Sequence, residues 1–338
     1  MQLKLHPFQL ELRHTFRIAH GARTHQPSLV VELKDGELSG YGEATATSYY
    51  GQSLDRMQAI LEGLRSKIES SHWENAEDFW EMMRPDLNDH PFVQCALDVA
   101  AHDLAARRAG KPLYAHWGLH PGKLPLTNYT IGIASIEEMI AKMQVMPWPV
   151  YKIKLGTDYD LDIIRALRAH TDAVFRVDAN CAWTPRQTID LSNELMHLGV
   201  EFIEQPMSPA DDESMKEVVR DSALPIIADE SCQREDDIEK CAGRFHGVNI
   251  KLMKCGGLTP ALRMIRQAKA LGLQVMVGCM TESSVGIAAI AHLLPLLDYV
   301  DMDGALLLKN DPATGVHIDQ GIIEYAEGPG TGAALKQD

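Results

Sequence analysis

The sequence predicts an α/β protein: a parallel barrel of the TIM type, preceded by an antiparallel α+β part to which the C-terminal tail returns. Three observations predict it. From Thr127 onward, eight short β-rich segments recur about every 22–27 residues with helical patterns between them, the rhythm of parallel strands joined by crossovers. The first third reads instead as three strands in a meander followed by helices. After Asp303 the rhythm stops. A length of 338 residues fits two domains, or one barrel with an addition. A doubly wound open sheet is the alternative, but Ile131-Gly132-Ile133-Ala134-Ser135, the turn after the first repeat strand, lacks the GxGxxG phosphate fingerprint usual in such sheets.

Taken in order, residues 1–17, 28–33 and 38–43 read as strands, with Lys34-Asp35-Gly36-Glu37 as a turn. Residues 54–70, 76–83 and 91–109 read as helices. In the last, Val93, Leu97, Ala100, Ala101 and Leu104 recur at helical spacing, and Gly110 stands just past the end. The repeat strands are residues 127–131, 151–155, 175–178, 202–204, 226–229, 248–252, 275–279 and 299–303. Helices at 160–169, 185–198, 211–221, 235–241, 259–271 and 283–294 alternate with them. Residues 304–310 and 316–323 are short apolar pieces before Gly328-Pro329-Gly330. No long polar linker separates the parts, so they should pack firmly.

Hydrophobic residues make up 45% and charged residues 23% of the chain, ordinary for a globular protein. The 47 acidic residues outnumber the 32 basic ones, a formal charge of −15. That surplus argues against a nucleic-acid or anionic-membrane partner, which needs a basic patch. No apolar run approaches the ~20 residues of a membrane span, and the start lacks the basic–apolar–small order of a signal peptide. The six cysteines form no CxxC pair, which argues against a zinc site and for reduced thiols in a cytoplasmic protein.

The chemistry should lie at the strand ends, because barrel active sites sit at the C-terminal face. Asp178, Glu204 and Asp229 close three successive strands. With adjacent strands ~4.8 Å apart, these carboxylates would repel, and a hard divalent cation, magnesium, resolves the repulsion. Lys152 and Lys154 are two apart and share one face of their strand. Lys251 stands on the sixth strand, across the barrel. Burial and a neighbouring cation would depress such lysines from ~10.4 toward 7–8, suiting them to acid–base work. Lys254, before Gly256-Gly257, reads as structural or charge-balancing.

Together, Lys152-Ile153-Lys154, Asp178-Ala179-Asn180, Glu204-Gln205-Pro206, Asp229-Glu230-Ser231 and Asn249-Ile250-Lys251…Gly256-Gly257 resemble the enolase superfamily, specifically its muconate lactonizing enzyme subgroup. The resemblance covers nearly the whole chain. It implies a (β/α)7β barrel at 123–304 and an α+β capping domain at 1–122, completed by residues 305–338. It also implies that Asp178, Glu204 and Asp229 hold one magnesium ion, that Lys154 and Lys251 exchange a proton on opposite faces of the substrate, and that Lys152 stabilises an enediolate. Like-charge repulsion from Lys152 would lower the pKa of Lys154. A lysine base working beside magnesium on an enediolate is chemistry that this superfamily is known for. Barrels of this family often assemble, so a homo-oligomer is compatible with it.

Asp301 and Asp303, two apart on the eighth strand, face one side and call for a cation that is not the metal; a substrate ammonium fits. This Asp-x-Asp resembles the dipeptide epimerases, where it holds the N-terminal amine. The second residue's side chain would then face the loop His20-Gly21-Ala22-Arg23-Thr24. Arg23 stands where L-Ala-D/L-Glu epimerases place an arginine, and its fork suits a carboxylate. Tyr49-Tyr50-Gly51, Cys279, Thr281 and Glu282 are expected to line the site, whereas His20, His25 and His317 are incidental. The resemblance thus implies inversion of the second α-carbon of a dipeptide, most simply L-Ala-D/L-Glu in murein peptide recycling. The rivals are a dipeptide epimerase with another second-residue preference, an N-succinylamino acid racemase or o-succinylbenzoate synthase, whose substrates bring no ammonium, and a non-catalytic metal–carboxylate binding barrel, which has no need of two opposed lysines.

Overall fold

The computed structural model describes residues 1–18 and 21–337. Three antiparallel strands, β1 (Gln2–Ile18), β2 (Gly21–Asp35) and β3 (Leu38–Thr45), form a sheet in that order. Asp35 pairs with Leu38 across a tight turn in which Gly36 takes a left-handed φ of 58°. Strand β2 starts at Gly21 rather than at residue 28. Residues 21–27 look polar and loop-like because this end of the ribbon has no apolar face to alternate; pairing with β1 makes it a strand. The ribbon breaks register between Glu11 and Phe16.

Helices α1 (Leu54–Ser70), α2 (Ala76–Leu87), α3 (Pro91–Arg108) and α4 (Leu113–His116) follow. Ser53 and Asn75 cap α1 and α2 through their side chains. Helix α2 runs past the expected end at Met83 and carries Pro85 in its last turn, where the ring removes one N–H from the ladder without ending the helix. Helix α3 lies directly on β3. A Cβ on Gly40 or Gly42 would come within 2.2 or 2.1 Å of the α3 carbonyls of Ala100 and Ala96, so the two glycines set this contact.

The eight barrel strands are β4 (Tyr129–Ile131), β5 (Val150–Lys154), β6 (Val174–Asp178), β7 (Val200–Glu204), β8 (Ile226–Ala228), β9 (Gly247–Lys251), β10 (Gln274–Gly278) and β11 (Tyr299–Asp301). Each pairs in parallel with its sequence neighbour. Between them run α5 (Ile136–Val145), α6 (Asp160–Arg168), α7 (Pro185–His197), α8 (Asp212–Asp221), α9 (Asp237–Cys241), α10 (Leu252–Cys255), α11 (Leu258–Ala270) and α12 (Ser284–Ala291). The seven crossovers make a (β/α)7β barrel with an antiparallel capping sheet. Helix α5 is additional to the expected helices; its Ser135–Glu138 capping box is the signal that marks it. First and last strands meet through a bridge between Thr127 and Val300 and a hydrogen bond from Asn128 Nδ2 to Asp301 Oδ1 at 2.7 Å.

Inside the barrel the period-2 alternation stacks layers. At the bottom, Arg176 stacks on Phe202 and Tyr299 and pairs with Glu201, closing that end. The charged residues two positions further along each strand form the upper layers. The tail contains β12 (Ala313–Thr314), β13 (His317–Asp319), β14 (Ile322–Glu324) and β15 (Ala334–Leu335). It returns to the capping part: Lys309 N donates to Glu11 O, and Thr331 N to the buried Asp103. Two buried carboxylates of the capping part also sit on barrel helix N-termini, Asp98 on Thr259 N and Glu43 on Ser283 N and Gly286 N. None of the described helices is long and apolar enough to cross a membrane.

Candidate active site

A cavity of about 380 Å³ opens at the C-terminal end of the barrel, between its strands and the β1–β2 ribbon. Asp229 lines it, and the other two carboxylates foreseen from the sequence are buried beside Asp229. Asp178, Glu204 and Asp229 are buried, and one oxygen of each lies within 4.8 Å of those of the other two. Each has one oxygen fixed from outside: Asp178 Oδ1 accepts from Asn180 N (2.9 Å), Glu204 Oε1 from Asn249 Nδ2 (2.8 Å) and Asp229 Oδ1 from Lys254 Nζ (2.7 Å). The remaining oxygens turn to the site lysines. Lys154 Nζ lies 2.6 Å from Asp178 Oδ2, and Lys251 Nζ 2.7 Å from Asp229 Oδ2. Lys152 Nζ stands among Asp178 Oδ2 (3.1 Å), Glu204 Oε2 (2.7 Å) and Asp301 Oδ2 (2.9 Å). Three hard oxygens held at this separation, each carboxylate with its other oxygen already satisfied, fit a small divalent cation.

The electrostatics are those of buried opposites. Burial pushes Asp178 up, but Lys154 and Lys152 outweigh it and hold it at about 2. Asp229 is held far below the ordinary range, since Lys251, Lys254 and Lys152 overcome its burial. Glu204 goes the other way, raised to about 7 by burial and by Asp178. Lys152 and Lys251 stand well above the ordinary lysine range, because their carboxylate neighbours outweigh burial. Paired in this way, Lys152 and Lys251 are held protonated by the carboxylates they neutralise, whereas the depression expected from the sequence is that of lysines beside a bound cation.

Lys154 on β5 and Lys251 on β9 are four strands apart in an eight-stranded barrel, so they face each other across the cavity. Asp301 and Asp303 lie on a third side. Asp301 also accepts from Asn128, and Asp303 from Thr130 N at 2.5 Å. Burial and the Asp301 charge raise Asp303 to about 7. Arg23 lines the cavity from β2, not from a loop as expected, and its Nη2 donates to Thr281 Oγ1 at 2.9 Å. Tyr49, Tyr50, Cys279 and Thr281 line the cavity too. Glu282 does not: it is buried beneath, accepting from Met280 N at 2.8 Å. His20 lies outside the described residues, and His25 and His317 are exposed, away from the cavity wall.

Charge at the strand ends does not reveal the residues that brace them. Gln205 holds a left-handed φ of 31°, and its Oε1 accepts from Asp229 N and Ser231 N, tying the fourth strand end to the fifth. Asn249 fixes Glu204, and Asn128 fixes Asp301. Asn249 and Lys251 are two apart on one strand, as are Lys152 and Lys154, and that period is the signal that could have found Asn249. Lys254, fully buried, bonds Asp229 Oδ1 and the carbonyls of Asp229 and Cys232.

Residues 3–118 match the mandelate racemase / muconate lactonizing enzyme N-terminal domain, and residues 134–338 the enolase C-terminal domain-like family. A protein of Flavobacterium johnsoniae named L-Ala-D/L-amino acid epimerase is 55% identical over 99% of this chain and 100% of its own. One of the same name from Maribacter sp. is 52% identical over 100% of both chains. Among solved structures, the dipeptide epimerase of Cytophaga hutchinsonii, complexed with Mg and D-Ala-L-Val, superposes with a TM-score of 0.94 at 29% identity, covering 100% of this chain and 96% of that one.

Proposed function

This chain belongs to the mandelate racemase / muconate lactonizing enzyme family of the enolase superfamily and is an isomerase of the racemase and epimerase kind, and from that premise we propose that it is a magnesium-dependent dipeptide epimerase inverting the second α-carbon. The observation that carries the proposal is the opposition of Lys154 and Lys251 across a carboxylate triad. Asp178, Glu204 and Asp229 would hold the ion, which when bound supplies an electrophile for the substrate carboxylate and shares the neutralisation of the triad with the lysines.

In this scheme the dipeptide spans the cavity. Its ammonium meets Asp301 and Asp303, whose buried carboxyl oxygens offer two acceptors, the ammonium charge favouring the ionised form of Asp303. Its second α-carbon lies between the two lysine nitrogens. With the triad's charge shared by an ion, one lysine could stand neutral and take the α-proton, and the electron pair left on carbon spreads into the adjacent carboxylate. The protonated lysine opposite returns a proton to the other face, so the centre inverts and the two lysines exchange roles. Lys152, close to the triad and to Asp301, offsets the added negative charge. Arg23 faces the second side chain and favours glutamate there, which makes L-Ala-D/L-Glu the proposed substrate and peptidoglycan fragments its source. The names borne by relatives above half identity support alanine first and leave the second residue open.

The test is solvent exchange. With magnesium in D₂O, deuterium should enter the α-position of the second residue of L-Ala-L-Glu while the D-epimer accumulates, read by mass spectrometry and NMR. Deuterium confined to the first residue, or absent across a dipeptide library, refutes the proposal.

A further inference from the structure

We propose that Thr281 is a specificity-positioning residue: its hydroxyl holds the Arg23 guanidinium against the cavity wall with its remaining N–H groups turned to an acidic substrate side chain. The inference rests on Arg23 as the group that meets the second side chain, and deepens that reading.

The contact joins residues 258 apart, Arg23 on the capping ribbon and Thr281 in the loop after β10, with Nη2 donating to Oγ1 at 2.9 Å. Both line the cavity, and Thr281 is 4% exposed. The ring of Phe16, paired with Arg23 across the ribbon, stands 5.7 Å from the guanidinium carbon and forms an apolar wall beside it. Arg23 Nε is buried and has no hydrogen-bond partner among the described residues, and among them Arg23 has no carboxylate partner. The identity of the acceptor matters here. A carboxylate at position 281 would neutralise the fork and close the cavity to anions. A hydroxyl fixes one N–H but leaves the full positive charge to be met by something else. An arginine so held, in a cavity that otherwise gathers the substrate's amine and carboxylate elsewhere, fits a third charged group on the substrate, an anion.

The loop can do this because it is itself fixed. Ser283, two residues on, gives its N and Oγ to Glu43 of β3 at 3.0 and 2.6 Å, and Met280 N donates to Glu282. Thr281 is thus anchored on both sides, and its hydroxyl is a rigid acceptor. Without it, the guanidinium would have to choose among rotamers on each substrate encounter, and the loss would fall on binding of the acidic substrate.

The experiment compares the magnesium-loaded wild type with Thr281→Val, Thr281→Ser and Arg23→Ala on L-Ala-L-Glu and L-Ala-L-Leu. Valine keeps the shape and removes the acceptor; serine keeps the acceptor. Loss of one charge-assisted hydrogen bond is worth about tenfold. Thr281→Val should therefore lower the Glu-over-Leu ratio of kcat/KM about tenfold, through KM for L-Ala-L-Glu, and Thr281→Ser should restore it. Equal losses on both substrates would make Thr281 merely structural and overturn the proposal. So would an unchanged ratio in Thr281→Val when Arg23→Ala collapses it. If wild type and Arg23→Ala handle the two dipeptides alike, the acidic-substrate reading fails first and this inference falls with it.

Discussion

Replacing Lys152 with methionine removes one cation from among three buried carboxylates while keeping the length of the chain. Lys152 is 2% exposed and lies within 3.1 Å of oxygens of Asp178, Glu204 and Asp301. Taking one partner from a buried ion pair costs about 3–5 kcal/mol, because the charge left behind is neither hydrated nor paired. An unfolding entropy of about 2.1 cal/mol/K per residue gives this chain about 0.7 kcal/mol/K. Lys152→Met should then melt about 4–7 °C below wild type at pH 7.5 in the presence of a chelator. Two further signs separate this cause from lost packing. The uncompensated carboxylates have folded-state pKa values above their unfolded ones, so the deficit grows as pH rises and shrinks toward pH 5. If the folded triad holds magnesium as proposed, the ion adds about 2.7 kcal/mol at a hundred times its Kd, and the variant, short of one positive charge, should gain more from it than wild type does. Circular dichroism melts with and without magnesium at three pH values measure all of this. A variant that melts within 1 °C of wild type in chelator, or whose deficit ignores both pH and magnesium, would refute the charge argument.

Lys154→Ala and Lys251→Ala should each abolish epimerisation, with one of them keeping α-deuterium exchange on a single stereoisomer; full epimerase activity in either ends the two-base scheme. Asp301→Asn should weaken binding of a dipeptide far more than of an N-succinylated amino acid, as measured by calorimetric titration, since only the first brings an ammonium. Burial raises Asp98 to about 7, well above its ~3.9 when unfolded. Its contribution to stability is therefore lost as pH rises between those values, by about 1.4 kcal/mol for each unit of the shift. Asp98→Asn, which keeps an acceptor for Thr259, should flatten that loss in denaturant titrations from pH 4.5 to 7.5; an unchanged slope contradicts it.

The barrel was legible in the sequence because its strands are short, evenly spaced and closed by charges in an apolar run. Lys152, Lys154, Asp178, Glu204 and Lys251 all fall on strands at the predicted place, and Asp229 and Asp303 fall one or two residues past them. What stayed hidden depends on tertiary partners. Residues 21–27 are a strand only because β1 runs beside them. Asn128, Asn249 and Gln205 are neutral, and a neutral side chain at a strand end carries no electrostatic signal until the carboxylate it fixes is seen beside it. The upward shift of Lys152 and Lys251 was hidden for a related reason. Spacing puts lysines near carboxylates without saying that each ammonium lies within a hydrogen bond of one.

Chemistry and choice of substrate are built from different parts of the chain, and the connection between them is short. The triad and the lysines proposed to handle the proton stand on β5 to β9 and just past β8, fixed by parallel register and by braces such as Gln205. Arg23 and Phe16 stand on the capping ribbon, beyond the register break between Glu11 and Phe16. Four residues of β1 oppose one of β2 there, and such an irregularity bends a ribbon. The bend is pinned from the barrel side: Leu12 bridges to Leu308, and Lys309 N donates to Glu11 O, a few residues after Asp303. The position of Arg23 relative to Asp301 and Asp303 is therefore set by a segment that contains none of the triad and neither opposed lysine. If Arg23 and Thr281 read the second side chain as proposed, substitutions on the ribbon or at Thr281 should change which one is welcomed while the lysines and carboxylates keep their places, and specificity could then drift without passing through a catalytically dead intermediate.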